Sequence, residues 1–80
     1  MRPEEVFLNG ENISGWYDIG FGYVLRYAVF RYAGKYFVLS DTGYETWELE
    51  IVGEYDREDE ALAALEALID QANRGLGIEA

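Results

Sequence analysis

Neither cysteine nor histidine occurs anywhere in the chain. The first absence excludes a disulfide framework and any thiolate metal site. The second removes the commonest general base and the imidazole ligand of most transition-metal centres. Bases are scarce too: six Lys and Arg stand against 16 Asp and Glu, for a net charge of −10. A surface of that sign repels nucleic-acid phosphates and anionic membranes, and it speeds encounter with basic protein surfaces. Long hydrophobic runs are also missing. After Met1-Arg2-Pro3-Glu4-Glu5 comes only Val6-Phe7-Leu8, far short of a signal-peptide core or a membrane span. The expectation is a soluble protein of a bacterial host's cytoplasm, with no membrane partner.

These gaps leave little catalytic chemistry. Ser14 and Ser40 have no base of the usual kind and no nucleophile-elbow context. With so many acids, no single carboxylate pair marks a glycosidase-type site. Asp56-Arg57-Glu58-Asp59-Glu60 is rich in oxygen ligands but lacks the twelve-residue loop and central glycine of a calcium hand. Gly15, Gly20 and Gly22 have the wrong spacing for a phosphate loop, and no Lys-Ser/Thr pair follows them. The reading is a protein that is not an enzyme and carries no metal or cofactor.

What is present is a foldable chain. Its 80 residues suit one domain, half are hydrophobic and 16% are aromatic, which is ample surface for one small core. Residues 5–8 read as a short strand, with Asn9-Gly10 as the tight turn of a hairpin that sets Leu8 opposite Glu11 and Val6 opposite Ile13. Asn12-Ile13-Ser14 matches a glycosylation sequon, read as chance in a chain without an export signal. A further strand is expected at 16–19. Residues 23–32 form a long β-branched and aromatic run, turned by Ala33-Gly34 into a strand at 35–40. That two-residue turn pairs Phe30 with Phe37, Ala28 with Leu39, Val29 with Val38, Tyr27 with Ser40 and Arg31 with Tyr36.

After the polar turn Asp41-Thr42-Gly43, residues 45–52 alternate as a half-buried strand, with Trp47, Leu49 and Ile51 on one face and Thr46, Glu48 and Glu50 on the other. Gly53 marks its end or a bulge. Asp56 is a good N-cap for a helix over about 57–74, with Glu58, Asp59 and Glu60 favourably placed in the first turn. Ala61, Leu62, Ala64, Leu65, Leu68, Ile69 and Ala72 recur at helical spacing, and Arg74-Gly75 is a C-terminal stop. The fold class expected is α+β, an antiparallel three- to four-stranded β-meander with one C-terminal α-helix packed on one face. In that arrangement Tyr27, Val29, Tyr36 and Val38 are left as an exposed apolar contact strip.

Charge is segregated along the chain. Residues 19–40 hold no acid, three bases (Arg26, Arg31, Lys35) and seven aromatics, whereas residues 41–60 hold nine acids and one base. Aromatics interleaved with bases on a sheet can stack unpaired nucleobases, but three bases do not outweigh the whole-molecule charge, so direct nucleic-acid binding is not expected. The candidate partner-binding residues are Glu48, Glu50, Glu54, Asp56, Glu58, Asp59 and Glu60. Carboxylates in a row along a strand and around a helix start can imitate phosphate spacing and occupy a basic groove.

A very small, acidic, cysteine-free domain with a tyrosine-rich meander and that cluster of seven acids resembles phage-encoded inhibitors of bacterial defence, especially anti-CRISPR proteins. The resemblance lies in size, charge and layout. It implies a non-enzymatic, DNA-mimicking viral inhibitor that binds a basic, nucleic-acid-binding partner, a CRISPR effector subunit, and blocks target DNA recognition. The joint Glu54 to Ala61 also resembles that of small sheet-plus-helix domains, including DNA-binding arms of integrases, whose basic sheet this chain lacks. Two other readings stay open: an immunity or antitoxin-like protein that neutralises a toxin, and an assembly module that dimerises through the aromatic hairpin. The expected state is a monomer or a weak homodimer.

Overall fold

The computed structural model describes residues 1–19, 25–43 and 48–75. The expected α+β class is what forms: an open antiparallel sheet, a long C-terminal helix and a second, short helix at the N-terminus. The elements are α1 (Pro3–Asn9), β1 (Glu11–Asn12), β2 (Tyr17–Asp18), β3 (Arg26–Tyr32), β4 (Lys35–Asp41), β5 (Leu49–Tyr55) and α2 (Glu58–Gly75). The sheet order is β1-β3-β4-β5, with β2 also pairing β3.

The largest correction lies at the start. Residues 5–8 are helical rather than a strand, and Asn9-Gly10 closes no hairpin. Pro3 in the first helical turn has its φ preset and no donor to waste, and Glu4 and Glu5 follow where carboxylates suit the helix dipole. The Gly10 N–H donates to the Val6 carbonyl at 2.8 Å, which ends the helix. Gly10 has φ −86°, so positive φ is not what selects glycine there. Close approach is: a Cβ would sit 2.5 Å from the Val6 carbonyl oxygen and 2.9 Å from that of Arg31.

β1 and β2 are two short contacts along one flank of β3, and the expected strand at 16–19 shrinks to Tyr17–Asp18. Between them the Asn12 carboxamide oxygen accepts from the Ser14 and Gly15 N–H groups, with Gly15 at φ 80°. This Asx-type turn gives the Asn12-Ile13-Ser14 triplet a structural role. Ser14 Oγ accepts from the Val29 N–H at 2.8 Å, in place of a ladder carbonyl.

The β3–β4 hairpin has the expected register throughout, extended by Tyr32↔Lys35 and Arg26↔Asp41. β3 starts at Arg26, and residues 23 and 24 of the expected strand lie outside the described residues. The turn residues Ala33 and Gly34 both have positive φ, 52° and 76°, which gives the twist that two-residue hairpins require. β5 runs past Gly53 to Tyr55, while 45–47, including Trp47, lie outside the described residues. Its pairing passes from Leu39↔Ile51 to Val38↔Gly53, so Val52 is the extra residue of a β-bulge.

Each face of the sheet has its own cover. Val6 of α1 packs with Ala28, Phe30, Phe37 and Leu39, flanked by Phe7, Trp16, Tyr32 and Ile51. Ala61 and Leu65 of α2 pack with Val29 and Val38, flanked by Tyr27, Tyr36, Tyr55, Leu62, Leu68 and others. The expected exposed strip is therefore corrected. Val29 and Val38 are 0% and 1% exposed, and Tyr27 and Tyr36 are half-buried beneath α2. Both hairpin faces are apolar and each needed a lid; reading α1 as a strand left only one.

Candidate functional site

The acidic surface is built by the strand–bulge–helix passage from β5 into α2. Side chains directly opposite in an antiparallel pair share a face. Glu50 lies opposite Ser40, on the α2 side, whereas Glu54 lies opposite Phe37, on the α1 side. Without the Val52 bulge the two would share a face, so the bulge splits the expected carboxylate row. Glu48 stands just before the strand, exposed.

Pairing divides the acids further. The Lys35 amine bridges Glu54 at 3.3 Å and Asp56 at 3.1 Å. Its pKa is raised by the hydrogen bond to Asp56, then by that to Glu54. Asp56 is thus a partner of Lys35 rather than a helix cap. The first helical hydrogen bond runs from the Ala61 N–H to the Arg57 carbonyl, placing the N-cap on Arg57, whose guanidinium is turned onto Asp59 at 3.1 Å.

The other bases are tied as well. Arg2 meets Glu4, Arg31 meets Glu11, Arg74 meets Asp70 and Arg26 meets Asp41. The Arg31 guanidinium is raised in pKa, first by the Glu11 charge. The Tyr32 hydroxyl donates to Glu5 at 2.9 Å, and that hydrogen bond is the main reason its pKa rises. All six basic side chains therefore have acidic partners. Among the described residues, Glu48, Glu50, Glu58, Glu60 and Glu66, on β5, its approach or α2, have no ion pair, and neither does Glu5 on α1, which is held by the Tyr32 hydroxyl alone. Of the seven expected partner-binding acids, Glu48, Glu50, Glu58 and Glu60 have no cationic partner, Asp59 is matched by Arg57, and Glu54 and Asp56 share the single charge of Lys35.

One group was missed from sequence. Asp41, 1% exposed, accepts from Arg26 at 2.6 Å, from the Gly43 N–H at 2.9 Å and from the Glu48 N–H at 3.1 Å. Burial alone would raise its pKa; the Arg26 hydrogen bond, followed by the two backbone donors, outweighs burial and holds it below the usual carboxylate range. Arg26 in turn lies 5.2 Å from the Trp16 ring centroid, in cation–π contact. The Thr42 N–H closes the loop onto the Glu48 carbonyl at 3.1 Å. Asp41 thereby anchors the backbone at Glu48, at the entry to the acidic β5–α2 passage. The signal was available, since extending the Tyr27–Ser40 register by one residue sets Arg26 opposite Asp41.

Nucleophilic chemistry finds little support in the serines. The Ser14 hydroxyl is engaged by Gly15 and Val29, and Ser40 is buried in the sheet. Among the described residues no cluster of three or more acids is arranged to hold a metal ion, and no helix is long and apolar enough to cross a membrane. Comparison with known proteins gave no match to a family model, to a curated protein or to a solved structure.

Proposed function

We propose that the protein is a non-enzymatic inhibitor of the anti-CRISPR type, working in the cytoplasm of a bacterial host. It docks its β5–α2 acidic surface on a basic protein surface that otherwise holds target DNA. The observation that carries this reading is the separation of paired from unpaired charge. All six basic side chains face acids of the same chain, which leaves little net positive surface for phosphate contacts, while Glu48, Glu50, Glu58 and Glu60 have no internal cation. Partially rigid placement strengthens the case, because preorganised charges lose less entropy on docking. Glu48 is anchored through Asp41, and Glu58 and Glu60 sit on a helix held by Ala61 and Leu65. Dimerisation through the hairpin strip loses its support, since α2 covers that strip.

The test is phage plating on a host that carries an active CRISPR system, with and without the protein. The wild-type chain should restore plaques. A variant with Glu48, Glu50, Glu58 and Glu60 all changed to lysine should not, while staying folded: the four sites are exposed, and the cost is the helix-dipole contribution of Glu58 and Glu60, about 0.3–1 kcal/mol each. Equal activity of that variant would remove the acidic surface from the mechanism. Failure of the wild-type chain against a panel of effector types would remove the CRISPR target.

A further inference from the structure

Beyond the acidic start of α2, an open groove of about 910 Å³ runs between that helix and β2. Tyr17 forms one wall; Leu62, Glu66, Ile69, Asp70 and Asn73 form the other. Leu62, Glu66, Ile69 and Asn73 are spaced by four, three and four residues, so they lie in line along one side of the helix. At 1.5 Å per residue the line is about 16 Å long, room for about five residues of extended chain or three turns of helix. From this geometry we infer that the groove is a docking site for an apolar polypeptide segment of another protein, one that carries lysine or arginine on its outer edge.

Three observations select that occupant. Leu62, Leu65 and Ile69 make the lining largely apolar, and Tyr17, 45% exposed, presents a ring suited to packing against an aliphatic or guanidinium group. The rim is acidic: Glu66 has no ion pair among the described residues. Asp70 is held only by Arg74, an exposed pair one helical turn away. Exposed pairs of this kind are weak, so an incoming cation can replace Arg74. A second copy of this chain is a poor occupant, because its net charge of −10 is repelled by the acidic rim. The inference stands independently of the inhibitor reading, which concerns residues 48–60.

The test uses the full chain, labelled with ¹⁵N, and three synthetic twelve-residue peptides. One is an amphipathic leucine–lysine helix, one replaces its leucines with serine, and one replaces its lysines with glutamate. The first should bind saturably and shift amides at Tyr17 and across Leu62 to Asn73, and the other two should bind at least tenfold more weakly. Combining Glu66→Gln with Asp70→Asn should weaken the first peptide about tenfold, and combining Glu58→Gln with Glu60→Gln less than twofold. Because all four sites are exposed, both variants should melt near the wild-type temperature, which separates lost binding from lost folding. Equal binding of the serine peptide, shifts centred on residues 48–60, or no saturable binding would each overturn the proposal.

Discussion

The two faces of the sheet are covered in different ways. On the α1 side the contacts are aromatic and cross-linked: Phe7, Trp16 and Phe30 meet with ring centroids 5.7 to 6.3 Å apart, and Arg26, Asp41, Tyr32 and Glu5 add polar ties around them. On the α2 side the core is aliphatic, four buried residues with half-buried tyrosines and leucines around them, and its margin opens into a groove. The α1 face is spent on holding a small domain together. The α2 side instead carries the groove and, with β5, most of the carboxylates that lack an ion pair.

The sharpest way to break this contrast is to hollow out each face in turn. Phe37→Ala should cost about 3–5 kcal/mol, enough to unfold much of a domain whose total stability at this size is about 4–12 kcal/mol. Leu65→Ala on the other face should cost about 2–3 kcal/mol. Urea titration followed by circular dichroism measures both, and a larger loss for Leu65→Ala would reverse the assignment of the stabilising face.

Asp41→Asn should cost about 2–3 kcal/mol at neutral pH by leaving Arg26 without its buried carboxylate partner. Because the folded-state pKa of Asp41 is depressed, its contribution is complete above the ordinary aspartate value near 3.9. It drains away as the pH falls through the lower folded-state value. Melting curves of wild type and variant should therefore diverge at neutral pH and converge in acid; a constant gap down to strong acid would show that Asp41 acts by packing alone.

Gly10→Ala should cost about 1–3 kcal/mol, because the new methyl meets two backbone oxygens rather than a side chain that can swing away. A neutral result would mean that the α1–β3 contact is loose. The smallest effect expected is a gain. Ala33, at φ 52°, carries left-handed strain that asparagine tolerates better, and Ala33→Asn should stabilise the hairpin by about 0.5 kcal/mol without touching either face. A loss in the thermal melt would contradict that reading of the turn.

Legibility followed the range of the interactions involved. The β3–β4 register could be read because a two-residue turn leaves no freedom in pairing, and α2 because its apolar stripe repeats over an 18-residue element. α1 was misread because Val6-Phe7-Leu8 is too short to show a period, and Asn9-Gly10 has a strong local preference for hairpins that the approach of β3 overrides. Pro3-Glu4-Glu5 carried the correct signal, a helix start. The candidate site was half legible. That residues 48–60 are acidic was plain, but which acids stay uncompensated depended on Lys35 and on the Val52 bulge, both set by pairing between distant strands.

By itself the sequence determined the α+β class, the central hairpin, the C-terminal helix, the excess of negative charge and the absence of thiol and imidazole chemistry. Those are properties of composition and short-range periodicity, which need no knowledge of what lies across the fold. Only the tertiary structure decided which helix covers which face, that the supposed exposed strip is core, that Asp41 is buried and anchored, and which carboxylates remain free. Each of those depends on residues far apart in the chain arriving within a few ångströms of one another, where burial and pairing, rather than local preference, set the free energy.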